Sequence, residues 1–186
     1  MEIIDNFLNG VMLLKPKVFF DERGFFFESY KKNLMQELSI DVDFVQDNIS
    51  KSAKGTIRGL HYQVNEFAQA KLCQVMYGNV LDVAVDIRVG SPTYGKYQAF
   101  ELNSENKHLV FIPPGFAHGF SVLSDFAVFS YKCSAYYNKA SERAIRFDDP
   151  DLNISWGVDA PILSEKDKLS SWFKEIDKDF LYSIKE

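Results

Sequence analysis

The chain holds three histidines, His61, His108 and His118, and an imidazole that titrates near neutrality is the commonest general acid or base. A barrel metal site would pair two imidazoles alternating on one strand with a nearby carboxylate. Here His61 is followed by Tyr62 and Gln63, and no His-x-His pair occurs. A three-histidine site assembled across strands stays open, but no metal is expected. His61 lies in KGTIRGLHYQ, residues 54 to 63, with Lys71 eight residues beyond, so cationic groups crowd one imidazole. Taken singly, Arg58 and Lys71 are surface charges and His61 is a hydrogen-bonded structural residue. His118 follows Pro113-Pro114-Gly115, a rigid turn entering a strand that the imidazole could simply satisfy. In Ser164-Glu165-Lys166-Asp167 the spacing resembles a capping box, with Asp where Glu or Gln is usual. DERGFFFE, residues 21 to 28, reads as a turn and a strand. Alternation must expose at least one of its three consecutive phenylalanines, which suggests an interface or a ligand-stacking surface.

The elements that must position these residues are mostly strands. Turn signals at Gly78-Asn79, Gly90-Ser91-Pro92, Asn103-Ser104, Pro113-Pro114-Gly115 and Ser124-Asp125 recur at intervals that suggest an antiparallel sandwich or barrel. Between Leu81 and Arg88, Leu81, Val83, Val85 and Ile87 alternate with Asp82, Ala84, Asp86 and Arg88, predicting that the odd positions face the core. From Ala127 to Ala135 the same period puts Phe129, Tyr131 and Cys133 on one face, so Tyr131 points inward. Two segments read as helices: residues 31 to 38, and a C-terminal stretch opened by Ser164. In the latter, Leu169, Trp172, Phe173, Ile176 and Phe180 recur at threes and fours and would pack outside the barrel. A small barrel is filled by side chains or holds one small ligand, so inward polar residues mark the site.

At 186 residues, one domain spanning 1 to 186 is expected, large enough to bury a core without disulfides or metal. The balance of 21 Lys+Arg against 26 Asp+Glu is acidic and no basic block stands out, so nucleic acid is not an expected partner. Glu2 and Asp5 sit where a signal peptide would carry positive charge, and no apolar run approaches a membrane span. A soluble cytoplasmic protein follows, with Cys73 and Cys133 as reduced core residues.

Ordered blocks across nearly the whole chain resemble the dTDP-4-dehydrorhamnose 3,5-epimerase family. They are DERGFFFESY (21–30), FVQDNIS (44–50), GTIRGLHYQ (55–63), AKL (70–72), DVAVDIRVGSPTYG (82–95), SENKHLVFIPPGFAHGF (104–120), YKCSAYY (131–137), DDPDLNISW (148–156) and PILSEKD (161–167). The resemblance implies a mostly β, cupin-type antiparallel barrel, or jelly roll, with short peripheral helices. It also implies a homodimer with an exchanged N-terminal segment, no cofactor, and epimerisation beside the C4 ketone of a dTDP-linked 4-keto-6-deoxy sugar. In this pattern His61 matches the base, Tyr131 the acid on the opposite face, Lys71 the cation at the enolate oxygen, and Asp167 the carboxylate that pairs with the histidine. Arg23, Glu28, Gln46, Asp47, Asn48, Arg58, His118, Glu142 and Lys166 match positions that contact substrate, and Tyr137 matches an aromatic that stacks near thymine. Phe111, Phe147 and Tyr97 stand where the family frequently has tryptophan.

Overall fold

β-branched and aromatic runs separated by glycine, proline and asparagine turns become thirteen strands and two short α-helices in the computed structural model, which describes residues 1–183. The first sheet contains β1 (Glu2–Phe7), β2 (Val11–Lys15), β5 (Gln46–Ala53), β7 (Lys71–Tyr77), β10 (Leu109–Ile112) and β12 (Phe126–Cys133), in the order β1-β2-β10-β7-β12-β5. The second contains β6 (Ile57–Gln63), β8 (Asn79–Asp86), β9 (Tyr97–Asn103), β11 (Phe116–Val122) and β13 (Glu142–Ala144), in the order β13-β6-β11-β8-β9. All neighbouring pairs are antiparallel. A separate hairpin pairs β3 (Val18–Asp21) with β4 (Gly24–Phe27).

The closed cupin-type barrel is overturned. Among the described residues no sheet closes on itself: β1 and β5 end the first sheet, β13 and β9 the second. Turn spacing is common to barrels and sandwiches, and closure depends on pairing between strands far apart in sequence, so local spacing does not encode it.

Between the sheets lies a core containing Cys73, Val75, Val80, Ala84, Phe120, Ala127 and Phe129. The outer face of the first sheet carries Leu14, Leu72, Leu109 and Phe111 against Met35 and Ile40, from α1 (Lys32–Glu37) and the turn after it. The outer face of the second carries Ile57, Val83, Val85 and Ala117 against Ile145, Leu152 and Trp156. This second layer corrects the reading of β8. Its odd positions pack outward under the C-terminal segment, and its even positions, Asp82 and Asp86 included, are fully buried. Alternation identifies two faces but not whether the second is covered.

Burial of Asp86 is satisfied in full. Its carboxylate accepts from Arg88 Nε at 2.9 Å, Arg88 Nη2 at 2.7 Å, Ser91 Oγ at 2.6 Å and Thr93 Oγ1 at 2.7 Å. Burial opposes its ionisation, but these donors outweigh it and hold the carboxyl below the usual aspartate range. A depressed carboxyl contributes stability that is present above the ordinary aspartate pKa of about 3.9 and lost as pH falls through the folded value. Asp86→Ala is expected to cost roughly 3–5 kcal/mol at pH 7 because it leaves the largely covered Arg88 guanidinium without its counter-ion. Urea denaturation should also show a flatter acid limb in the variant than in the parent.

The C-terminal helix is corrected as well. Helix α2 covers only Glu165–Lys168, followed by one 3₁₀ turn at Phe173–Glu175. The backbone there bonds to a neighbouring segment instead of to its own next turn: Ser171 O accepts from Arg146 N, and Phe173 N donates to Asp149 Oδ2 at 2.7 Å. Phe173, Ile176 and Phe180 still reach the core, whereas Leu169 is exposed. The apolar spacing thus records contact points of an irregular strap. No helix among the described residues is long and apolar enough to cross a membrane.

Candidate active site

His61 stands on β6, opposite His118 of β11. Two residues further along, Phe120 faces Arg58, so β6 carries one extra residue across this interval. The bulge explains how Arg58 and His61, three apart, both line one cavity. Gly59 permits it: its φ is +132°, and a Cβ there would lie 2.5 Å from Gly119 Cα and 2.8 Å from His118 O. His61 Nε2 is 2.6 Å from Asp167 Oδ1. Asp167 is buried on α2, and Ser164 grips it twice, its hydroxyl accepting the Asp167 N–H at 3.1 Å and donating to Oδ2 at 2.8 Å. One carboxylate therefore pairs with the histidine while its own backbone is capped, and the two readings of SEKD are compatible. Burial opposes ionisation of Asp167, but His61, Ser164 and Lys166 outweigh it and keep the carboxyl below its usual range.

Lys71 opens β7 and is 9% exposed, its Nζ 3.5 Å from the His61 carbonyl oxygen. No ion pair among the described residues involves it. A buried ammonium without a counter-ion is costly, and a developing anion would relieve that cost. Tyr131, on β12 across from Cys73, packs against the inter-sheet core as its alternation requires. Burial pushes its phenol up to about 12, so it holds its proton throughout the neutral range. His118 Nε2 lies 2.8 Å from Asp82 Oδ2, and burial pushes this imidazole down more than Asp82 raises it. His61, Lys71, Tyr131, His118, Arg58 and Asp167 all line one cavity of about 500 Å³, of a size for a small ligand. A base, a cation and a protonated phenol around one cavity can remove a proton beside a carbonyl, stabilise the enolate and return a proton.

Comparison with known proteins agrees with this chemistry. The family model described as dTDP-4-dehydrorhamnose 3,5-epimerase matches residues 5–175. The chain belongs to the dTDP-4-dehydrorhamnose 3,5-epimerase family. It is 49% identical over 178 residues to the dTDP-4-dehydrorhamnose 3,5-epimerase of Shigella flexneri, covering 95% of this chain and 98% of that protein. The counterpart from Pseudomonas aeruginosa is 50% identical over 169 residues, covering 90% and 93% of the two chains. Among solved structures, the dTDP-6-deoxy-D-glucose-3,5-epimerase of Legionella pneumophila Philadelphia 1, in complex with dTDP-4-keto-L-rhamnose, superposes with a TM-score of 0.95 at 45% identity, over 98% and 99% of the chains. As a member of the epimerase family the protein is an isomerase acting on nucleotide sugars.

The remaining positions that resemble the epimerase pattern divide into two groups. A second cavity of about 350 Å³ shares His61, Lys71 and Tyr131 with the first and adds Gln46, Asn48, Tyr137 and Glu142. Tyr137 donates its hydroxyl to Glu142 Oε2 at 2.9 Å, and Lys166 pairs with Glu142 Oε1 at 2.5 Å. Burial opposes ionisation of Glu142, but Lys166 and Tyr137 prevail and lower its pKa. Three residues are not brought to either cavity. Asp47 alternates to the other face of β5 and pairs with Lys132 at 2.9 Å. Arg23, on the β3–β4 turn, is bound to Asp21, and Glu28 to Lys31. Sequence reading missed Asp82, the buried partner of His118. A carboxylate inside an apolar strand was its signal, since strands are depleted in aspartate.

Proposed function

We propose that this protein inverts C3 and C5 of dTDP-4-keto-6-deoxy-D-glucose, giving dTDP-4-keto-L-rhamnose. His61 takes the proton beside the C4 ketone, Lys71 holds the enolate oxygen, and Tyr131 returns a proton from the opposite face. Asp167 orients the imidazole and favours the imidazolium formed on proton removal. Arg58 suits the diphosphate through its planar fork, and Gln46, Asn48, His118, Tyr137, Glu142 and Lys166 surround the sugar and base. The observation that carries this reading is the Asp167–His61 pair at 2.6 Å in a cavity also lined by Lys71 and Tyr131. The chemistry requires no metal.

The same reading assigns Arg23 and Glu28 to the nucleotide site of a second copy, in a homodimer that exchanges its N-terminal hairpin. Phe19, Phe20, Phe25 and Phe26 are each more than half exposed on that hairpin, an apolar surface suited to such a partner. A monomer in sedimentation equilibrium would overturn the assignment.

Proton NMR of dTDP-4-keto-6-deoxyglucose in heavy water with chelator present tests the reaction. Deuterium should enter at C3 and C5 with an L-configured product; exchange at C3 alone would make this a single-site epimerase. Tyr131→Phe should slow inversion by about 10²-fold while slowing proton wash-out much less, because the base is intact. Equal losses would make Tyr131 a positioning group.

A further inference from the structure

Behind the wall of the main cavity, a thiol, a carboxylate and an imidazole meet. The ligand atoms of Cys73, Asp82 and His118 lie within 4.8 Å of one another, and all three residues are buried. They join the two sheets, Cys73 coming from β7 of the first and Asp82 and His118 from β8 and β11 of the second. His118 Nε2 is 2.8 Å from Asp82 Oδ2 and 3.8 Å from Cys73 Sγ. Asp82 is 0% exposed, and its Oδ1 has no hydrogen-bond partner among the described residues. A buried carboxylate oxygen without a donor costs free energy, and proton transfer by His61 and Tyr131 makes no use of it or of Cys73.

We propose that Cys73, Asp82 and His118 form a binding site for a thiophilic divalent cation of the Zn²⁺ class, and that its occupation inhibits the enzyme. A sulfur, nitrogen and oxygen donor set suits Zn²⁺ and not Mg²⁺ or Ca²⁺, which select oxygen ligands. With Zn–S near 2.3 Å and Zn–N and Zn–O near 2.0–2.2 Å, donors around a tetrahedral ion stand roughly 3.3–3.6 Å apart. The imidazole and carboxylate therefore part by about half an ångström, and the thiol closes in by a few tenths. The cation displaces the Cys73 thiol proton to solvent; the proton on His118 Nε2, which faces the Asp82 carboxylate, moves to Nδ1, and the freed Nε2 lone pair binds the ion. Of the three residues, His118 alone lines the main cavity, which gives the ion its way in and leaves a fourth position for water. The inhibition rests on the epimerase reading, because it ties up an imidazole assigned to substrate contact; the binding itself does not.

The test uses chelator-treated full-length protein. Titration with Co²⁺ should produce a near-ultraviolet thiolate-to-cobalt charge-transfer band saturating at one equivalent, and calorimetry should find one Zn²⁺. Cys73→Val should abolish the band and weaken Zn²⁺ binding by at least roughly 10–100-fold, the loss that even outer-shell changes produce. Cys73→Ala decides the matter if the valine variant does not fold by circular dichroism. Cys133→Ala and Asp167→Asn should keep the band. No band in the parent, a band persisting without Cys73, or its loss in Asp167→Asn would each overturn the site. Zn²⁺ should inhibit epimerisation reversibly to chelator in the parent and not in the active Cys73 variant; bound Zn²⁺ with full activity would overturn the inhibition.

Discussion

His61→Ala should abolish deuterium incorporation at both C3 and C5 while leaving dTDP binding intact. General base catalysis supplies about 10²- to 10⁴-fold, and no other imidazole in the chain can substitute. His118 is buried, bound to Asp82 and held neutral, and His108 lies outside both cavities. The binding groups proposed for the nucleotide, Arg58, Gln46 and Tyr137, lie on other side chains, so calorimetry with dTDP separates loss of chemistry from loss of fold. Substantial residual exchange at either carbon would transfer the base to another residue and leave the 2.6 Å Asp167–His61 pair as a structural device.

Lys71→Met should lower kcat for exchange at both carbons by about 10²- to 10³-fold, the usual consequence of removing one donor from a developing oxyanion. Stability should move the other way. The Lys71 ammonium is buried, and among the described residues its one hydrogen bond is a 3.5 Å approach to the His61 carbonyl, so an apolar side chain of similar length relieves a desolvation cost. A higher thermal midpoint together with the lost activity would identify Lys71 as a group whose charge serves the reaction at the expense of the fold. A lower midpoint with unchanged kcat would show that the ammonium is structural. The two substitutions differ in kind: one removes the group that accepts the proton, the other the group that makes the proton acidic.

Local residue pattern was sufficient for several features. The alternation from Ala127 to Cys133 places Phe129 and Tyr131 on the core side, and they are found there, because a period of two is a property of the strand itself. The helix at residues 31 to 38 appears as Lys32–Glu37, and the exposed phenylalanines follow from three in a row on one strand. The ordered blocks around His61, Lys71, Tyr131 and Asp167 identify the family by residue type and order alone.

What the tertiary structure decided depends on pairing between distant segments. Whether the sheets close into a barrel is set by which strands end each sheet, and here β1, β5, β13 and β9 remain edges. The strap after α2 shares the three-and-four spacing of a helix, yet Arg146 and Asp149 take the backbone bonds a helix would need. Asp82 and Asp86 read as solvent-facing because nothing local reports that residues near 145 to 156 cover the other side of β8. A bulge of one residue turns Arg58 and His61 toward the same cavity, although simple alternation separates them. Residue types thus declare the available chemistry. Packing across the sheets determines which of those residues meet, because each such contact joins strands whose partners lie tens of residues away.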